Sequence, residues 1–102
     1  MTPYLKPGIL DIDDQIAIVF ETTKEVMVSK SRGRSEADAR KFGMWYRREI
    51  LGSTLKESGK IYNRDHSTAD WAKKEVNNLM KTDKVFRGKA EDALRRLESI
   101  KI

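Results

Sequence analysis

Four consecutive polar residues, Asp65, His66, Ser67 and Thr68, carry side chains that can contact the edges of DNA bases. A carboxylate accepts a hydrogen bond from cytosine N4, a hydroxyl bonds a base or a phosphate, and a threonine methyl can meet the thymine methyl. The residues also have a purely structural interpretation, because an aspartate in front of a helix is often an N-cap. His66 is the only histidine and there is no cysteine, so a metal site or a catalytic pair has no evident partners. We name these four residues the polar corner.

The segments around the polar corner have the outline of a helix-turn-helix. Thr54 and Glu57 form the pattern of a capping box, which predicts a short helix beginning at Leu55. A tight turn at Asn63 and Arg64 separates it from a second helix with one apolar face. That face consists of Ala69, Ala72, Val76, Leu79 and Met80. Two helices joined by a short turn also occur in proteins that never contact DNA, so the outline alone leaves a plain helical hairpin open.

Helical spacing of apolar residues predicts the other elements of the chain. Further helices are expected to begin near Asp11, near Thr22 with Glu25 as its capping partner, at Ser35, and near Thr82. The helix from Ser35 is the longest. No strand-like alternation and no internal repeat accompanies these patterns. The sequence therefore predicts an all-α fold of about six helices.

The length and the motifs present limit the class of protein. We interpret residues 1–10 as an N-terminal lead-in and residues 11–102 as one domain with one core. The longest apolar stretch, Ile16–Phe20, is too short to span a bilayer. No Walker loop, GxSxG or HExxH motif is present. We therefore expect a cytoplasmic, nucleoid-associated protein without enzymatic activity, metal or cofactor.

The positive charge is concentrated in the middle of the sequence. The chain has 21 Lys and Arg residues against 16 Asp and Glu residues, a net charge of +5. Residues 30–64 contain ten basic and four acidic residues, a net charge of +6. Such a block favours a polyanionic partner, although an ordinary solvated surface can have the same composition.

The basic residues of this block fall into two groups. Lys30–Arg34, named here the basic loop, is either a solvated turn or an arm that places arginine in a minor groove and lysine against phosphate. Arg40, Lys41, Arg47 and Arg48 are predicted to lie on the outer side of the long helix. Phosphate contact and ordinary solubility both explain such a position.

The two tryptophans have different expected environments. Trp45 shares the apolar side of the long helix with Phe42 and Ile50, which predicts a place in the core. Trp71 lies one helical turn beyond Ser67, away from the apolar face of its helix. It is expected either to pack on a neighbouring helix or to lie near DNA.

Together with Arg64, the polar corner resembles the RDHTT signature of the DNA-binding domain, domain IV, of the bacterial replication initiator DnaA. Ser29–Ser35 looks like the basic loop of that family, and Ala39–Met44 is similar to part of its long helix. Leu55–Gly59 is similar to the first helix of its helix-turn-helix. The resemblance extends over residues 11–97.

The resemblance implies a fold related to the Trp repressor that binds duplex DNA at a short asymmetric site of the DnaA-box kind. It implies that the polar corner enters the major groove, with Arg40 and Lys41 nearby. By the same resemblance Arg32 reaches the minor groove and Arg48 holds a phosphate. The predicted DNA-binding residues are therefore Arg32, Arg40, Lys41, Arg48, Arg64, Asp65, His66, Ser67 and Thr68.

Several positions depart from the family pattern. Lys41 stands where glutamine is usual, Ser67 replaces the first threonine of the signature, and Asn63 occupies a turn in which two glycines are common. Asp70 fills a usually apolar position and is followed by Trp71. These differences bear on which DNA sequence is bound.

Two functions from different classes follow. The first is a stand-alone, non-enzymatic protein, expected from a phage or mobile element, that binds double-stranded DNA sequence-specifically as a regulator or competitor at DnaA-box-like sites. It is expected to stand alone because the ATPase domain of the family does not fit in 102 residues. The alternative is a protein-interaction module that binds the replication initiator or another partner, such as another DNA-bound protein. Asp70 and Trp71 near the expected DNA face motivate that alternative.

Overall fold

The structure is a computed structural model that describes residues 9–30 and 33–99. In these two ranges it contains six α-helices and no strand, so the predicted all-α fold of about six helices is confirmed. The helices are α1 (Ile9–Phe20), α2 (Lys24–Val28), α3 (Arg34–Glu49), α4 (Leu55–Lys60), α5 (His66–Thr82) and α6 (Lys84–Ser99). No helix in the described ranges is both long and apolar enough to cross a membrane.

The helix boundaries differ from the predicted ones at several N-termini. The first helix begins at Ile9, two residues before the predicted start, and the rest of the predicted lead-in, residues 1–8, lies outside the described residues. Thr23, and not Thr22, caps α2 by accepting a hydrogen bond from the Val26 amide at 3.2 Å. The long helix has its N-cap at Gly33, so that Ser35 lies in the first turn.

The capping box of α4 is present as the sequence predicts. The Glu57 amide donates to the Thr54 hydroxyl at 3.0 Å, and the Thr54 amide donates to the Glu57 carboxylate at 2.9 Å. These reciprocal bonds satisfy two amides that the helix itself leaves without partners. They fix where the helix-turn-helix begins.

The long helix α3 lies in the middle of the fold and packs against α1, α2, α4 and α5, while α6 packs against α1 and α5. Three buried phenylalanines join these layers. The ring centroid of Phe20 in α1 lies 5.8 Å from that of Phe42 in α3 and 5.7 Å from that of Phe86 in α6. Tilted aromatic pairs at such separations add to the free energy of burying the rings.

The predicted orientation of α3 is wrong for three residues. Arg40 and Arg47, expected on its outer side, are 8% and 1% exposed, because four other helices surround α3 and leave it little free surface. Ile50, expected on its inner side, is 47% exposed, because it is the C-cap residue after the helix ends at Glu49. Trp45 packs against the core, as predicted, and its indole N–H donates to Asn77 Oδ1 at 3.0 Å.

Candidate nucleic-acid interface

The turn between α4 and α5 is tight because Gly59 allows two backbones to approach. A Cβ atom on Gly59 would lie 2.6 Å from the carbonyl oxygen of Asp65 and 2.8 Å from that of Arg64. The Arg64 amide donates to the Gly59 carbonyl at 2.9 Å, and Asn63 has a φ of 59°, in the left-handed region that asparagine tolerates better than most residues. This turn sets the direction in which α5 leaves α4.

Asp65 is the N-cap of α5, as its structural interpretation predicts. Its Oδ1 accepts a hydrogen bond from the Thr68 amide at 2.9 Å. The hydrogen bonds from Thr68, first that of its amide, lower the pKa of the Asp65 carboxyl below its ordinary value. The carboxylate therefore stays ionised at the positive end of the helix dipole. Its side chain is solvent-exposed, so capping and contact with a base are compatible.

The next residues of the polar corner project from the first turn of α5. His66 and Ser67 are exposed and Thr68 is half-buried, whereas Ala69 and Ala72 point into the core. A helix that buries one face against its own domain presents the opposite face to a partner. The polar corner is thus held on a rigid element, with its side chains directed outward.

Trp71 lies on the same outward face one turn further along α5 and is 53% exposed. The ammonium group of Lys41 lies 5.4 Å from the centroid of its indole ring and 3.4 Å from the Asp38 carboxylate. These two contacts hold the Lys41 side chain beside α5, where the sequence predicts a DNA contact. The indole is therefore outside the buried core and half exposed, with Lys41 of the neighbouring helix α3 over its ring.

Asp70, which fills a usually apolar position of the family pattern, is paired with two lysines of its own helix. Asp70 lies 3.0 Å from the ammonium group of Lys74 and 4.0 Å from that of Lys73. The hydrogen bond from Lys74 is the main reason that the pKa of Asp70 is lowered. Because Lys73 and Lys74 balance Asp70 and Glu75, the middle of α5 does not present a net negative charge.

The described residues of the basic loop lie at the surface next to this face. Lys30 is exposed, and Arg34 bonds Asp38 at 3.2 Å while its side chain stays 80% exposed. Arg32, the predicted minor-groove residue, lies outside the described residues. Either interpretation of the loop, a solvated turn or an arm on DNA, needs such exposed charges.

Three predicted contact arginines donate hydrogen bonds to main-chain carbonyls. Arg40 donates to the Met27 carbonyl at 2.8 Å and Arg48 donates to that of Ser53 at 3.2 Å. Arg64 donates to the Tyr62 carbonyl at 2.6 Å. Arg40 is also buried, and burial followed by the nearby charge of Arg64 lowers the pKa of Arg40. Each side chain has a structural role, and contact with DNA stays a prediction for all three.

One hydrogen-bond donor of Arg48 has no partner among the described residues. Its Nε is buried and has no hydrogen-bond partner in the described part of the protein, although its Nη1 is bonded. A buried donor without a partner costs free energy. An acceptor on DNA would reach this donor only if the Arg48 side chain moved, so the phosphate contact stays a prediction.

The sequence analysis missed a buried polar cluster beneath the turn. Arg47 of α3 bonds both carboxylate oxygens of Asp13 of α1, and the Tyr62 hydroxyl donates to Asp13 Oδ1 at 2.6 Å. Tyr62 lies between α4 and the polar corner, so the cluster anchors the helix-turn-helix to the core. A signal was present, because Asp13 shares the helical spacing of Ile16 and Phe20 on the apolar face of α1.

No group of three or more histidine, cysteine, aspartate or glutamate side chains in the described ranges is placed to hold a metal ion. The features assembled at this surface are a capped helix N-terminus, exposed hydrogen-bonding side chains and flanking lysines and arginines. That combination suits an anionic, hydrogen-bonding partner.

Two kinds of comparison with known proteins, a family model and individual relatives, both identify the bacterial DnaA protein. The family model for the bacterial DnaA protein helix-turn-helix matches residues 9–76, which include the basic loop, α3, α4 and the polar corner. The chain is 34% identical over 73 residues to the chromosomal replication initiator protein DnaA of Clavibacter sepedonicus, covering 71% of this chain and 15% of that protein. It is 33% identical over 87 residues to the protein of the same name from Flavobacterium psychrophilum, covering 84% of this chain and 18% of that protein. The chain thus spans less than a fifth of the length of these relatives.

Proposed function

The chain belongs to the family of the bacterial DnaA helix-turn-helix, and on that premise we propose that it binds double-stranded DNA sequence-specifically through the polar corner and the basic loop. Family membership implies DNA binding. The observation that carries the sequence-specific part is the exposure of His66 and Ser67 on the capped first turn of α5. Side chains on that turn reach base edges when a helix-turn-helix docks in a major groove.

Affinity in this proposal comes mainly from phosphate contacts. Lys30, Lys56, Lys60 and Lys74 are exposed, and residues 30–64 carry a net charge of +6. Each phosphate neutralised releases counterions, so the logarithm of the association constant falls with the logarithm of salt concentration by about 0.9 per contact. Such contacts orient the protein but do not distinguish sequences.

Discrimination between sequences comes from the polar corner. An imidazole and two hydroxyls can each donate or accept at a base edge, and the Thr68 methyl suits a thymine methyl. The carboxylate of Asp65, already bonded to the Thr68 amide, accepts from a cytosine amino group without losing its cap. We propose that the site bound is DnaA-box-like and that the protein acts as a regulator or competitor at such sites, without enzymatic activity.

Selection of bound sequences from a random duplex DNA pool at near-physiological salt tests this function. A short enriched motif is expected for the unaltered protein. His66→Ala and Ser67→Ala should weaken binding to that motif more than to random DNA, whereas Ser99→Ala, a control at the far end of α6, should change neither. Absence of an enriched motif would overturn the sequence-specific proposal.

One observation favours a second candidate function, a protein-interaction surface centred on Trp71. An indole that is 53% exposed is a typical anchor of protein interfaces. In that case Trp71→Ala would abolish capture of a protein partner and leave the DNA affinity unchanged. Tight, sequence-selective DNA binding that depends on Trp71 would count against it.

A further inference from the structure

Three successive carbonyls at the C-terminal end of α2 accept hydrogen bonds from side chains of other elements. The Met27 carbonyl accepts from Arg40 Nε at 2.8 Å, and the Val28 carbonyl accepts from Asn63 Nδ2 at 3.1 Å. The Ser29 carbonyl accepts from Arg64 Nη2 at 3.0 Å and from Arg40 Nη2 at 3.4 Å. We name Arg40, Asn63 and Arg64 the carbonyl clamp.

The shortness of α2 explains why these carbonyls need outside donors. The helix has five residues, and the last four carbonyls of any helix have no partner within it. Guanidinium groups are favoured there by the helix dipole as well as by hydrogen bonding. The clamp therefore fixes the end of α2, and the basic loop begins at the residue that follows Ser29.

The donors come from the two elements that flank the proposed DNA face. Arg40 belongs to α3, while Asn63 and Arg64 form the turn that leads into the polar corner. Asn63 reaches across 35 positions of sequence to α2. The clamp thus ties the start of the basic loop directly to the start of α5.

We propose that Arg40, Asn63 and Arg64 are positioning residues that hold Lys30, the first residue after the clamped Ser29, at a fixed distance from the polar corner, so that both contact one duplex at once. The inference rests on the proposed DNA-binding function. When two contacts are rigidly linked, the second forms at a high effective concentration, and this advantage is lost if the spacing varies.

A substitution at Asn63 can remove one clamp hydrogen bond without changing the net charge or straining the backbone. Asn63→Gly removes the amide donor, leaves the net charge unchanged and keeps a residue that adopts a φ of 59° without strain. Arg64→Lys is the second variant, since lysine keeps the charge and can bind a phosphate but lacks the planar fork that spans two carbonyls. Gln15→Ala, which removes a neutral amide from α1, is the matched control.

The experiment is a double-mutant cycle that combines each clamp variant with the removal of the Lys30 charge. Affinity for the motif selected by the unaltered protein is measured for Lys30→Ala, for Asn63→Gly and for both together, at several salt concentrations. The same cycle is repeated with Arg64→Lys. Thermal unfolding of each variant confirms that it is folded, and amide exchange at Ser29 reports whether the end of α2 has been released.

We expect Asn63→Gly and Arg64→Lys each to weaken specific binding by about threefold to tenfold, the range for one hydrogen bond. We also expect Lys30→Ala to cost less affinity, and to reduce the salt dependence less, in either variant than in the unaltered protein. Additive effects would overturn the clamp, because they would show that the loop is placed without it. If the unaltered protein selects no motif, the proposed function fails and the clamp fails with it. A selected motif with additive effects rejects the clamp alone.

Discussion

Arg47 and Asp13 form a bidentate ion pair in which the two N–O distances are 3.2 and 3.1 Å and each residue is 1% exposed. The pair joins α3 to α1. The Tyr62 hydroxyl bonds both partners, accepting from Arg47 and donating to Asp13, and burial raises its pKa well above the ordinary value for tyrosine. Tyr62 therefore stays protonated as a donor, and the turn before the polar corner is bound to the two helices beneath it.

Breaking this pair should destabilise the fold strongly. Asp13→Ala or Arg47→Met leaves one buried charge without its partner, which costs about 3–5 kcal/mol in the free energy of unfolding. Asp14→Ala, one residue along α1 but exposed, should change stability by less than about 0.5 kcal/mol. Denaturant unfolding measures all three.

Replacing the whole cluster by apolar residues tests whether the stability lost in the single variants comes from the unpaired buried charge. The triple variant Asp13→Leu, Arg47→Met, Tyr62→Phe removes every polar atom of the cluster, and most of the stability lost in the single variants should return. If the single variants were as stable as the unaltered protein, the Asp13–Arg47 pair would not be buried away from water in solution.

Gly59 should tolerate no side chain. In Gly59→Ala the new Cβ would meet two backbone carbonyl oxygens, at 2.6 and 2.8 Å, and backbone cannot move aside as a flexible side chain can. We expect a loss of about 1–3 kcal/mol in the free energy of unfolding, together with weaker sequence selection because α5 leaves the turn in a changed direction. Gly88→Ala is the control, since nothing lies within 4 Å of its added Cβ and alanine in a helix is more stable by about 0.5–1 kcal/mol. Equal effects at the two positions would refute the close approach at Gly59.

The features that the sequence predicts well are those that depend on near neighbours in the chain. The Thr54–Glu57 capping box, the Asp65 cap and the turn at Asn63 each need only residues within a few positions, so their patterns are visible without the fold. The helical spacing of apolar residues gave the helix count and most of the core for the same reason.

The features that it does not predict depend on which helices surround α3. An arginine is expected at the surface by default. The packing of α1 and the turn against α3 buries Arg47, and the packing of α2 against α3 buries Arg40. The partners of these two arginines lie 34 and 13 positions away in the chain. Whether predicted contact residues such as Arg48 and His66 touch DNA depends in addition on a partner that the sequence does not contain.

The cap formed by Asp65 should make stability depend on pH. Its pKa is lower in the folded protein than the ordinary value of 3.8, because the Thr68 amide bonds the carboxylate. A lowered folded pKa stabilises the fold above the unfolded pKa, and this contribution is lost as the pH falls through the folded value. Asp65→Ala should therefore be less stable than the unaltered protein at neutral pH, with a difference that shrinks below about pH 4.

Asp65→Asn is the control for this pH dependence, because asparagine also caps helices but does not titrate. It should retain most of the stability at neutral pH without the acid-dependent loss at this site. Unfolding measured by circular dichroism across the acid range distinguishes the variants. An Asp65→Ala deficit that stays constant down to about pH 2 would show that the ionised carboxylate contributes nothing beyond its shape.

The fluorescence of Trp71 should report whether the outward face of α5 lies against DNA. The chain has two tryptophans, and Trp45→Phe leaves Trp71 as the only one while keeping an aromatic ring against the core. Trp71 is 53% exposed, so acrylamide should quench it readily in the free protein. Saturating amounts of the selected duplex should reduce that quenching, because the DNA covers the indole one turn beyond the polar corner. Lys41→Ala, which removes the cation beside the ring, should leave quenching in the free protein high. If bound DNA leaves the quenching unchanged, Trp71 lies outside the DNA interface and remains available to a protein partner.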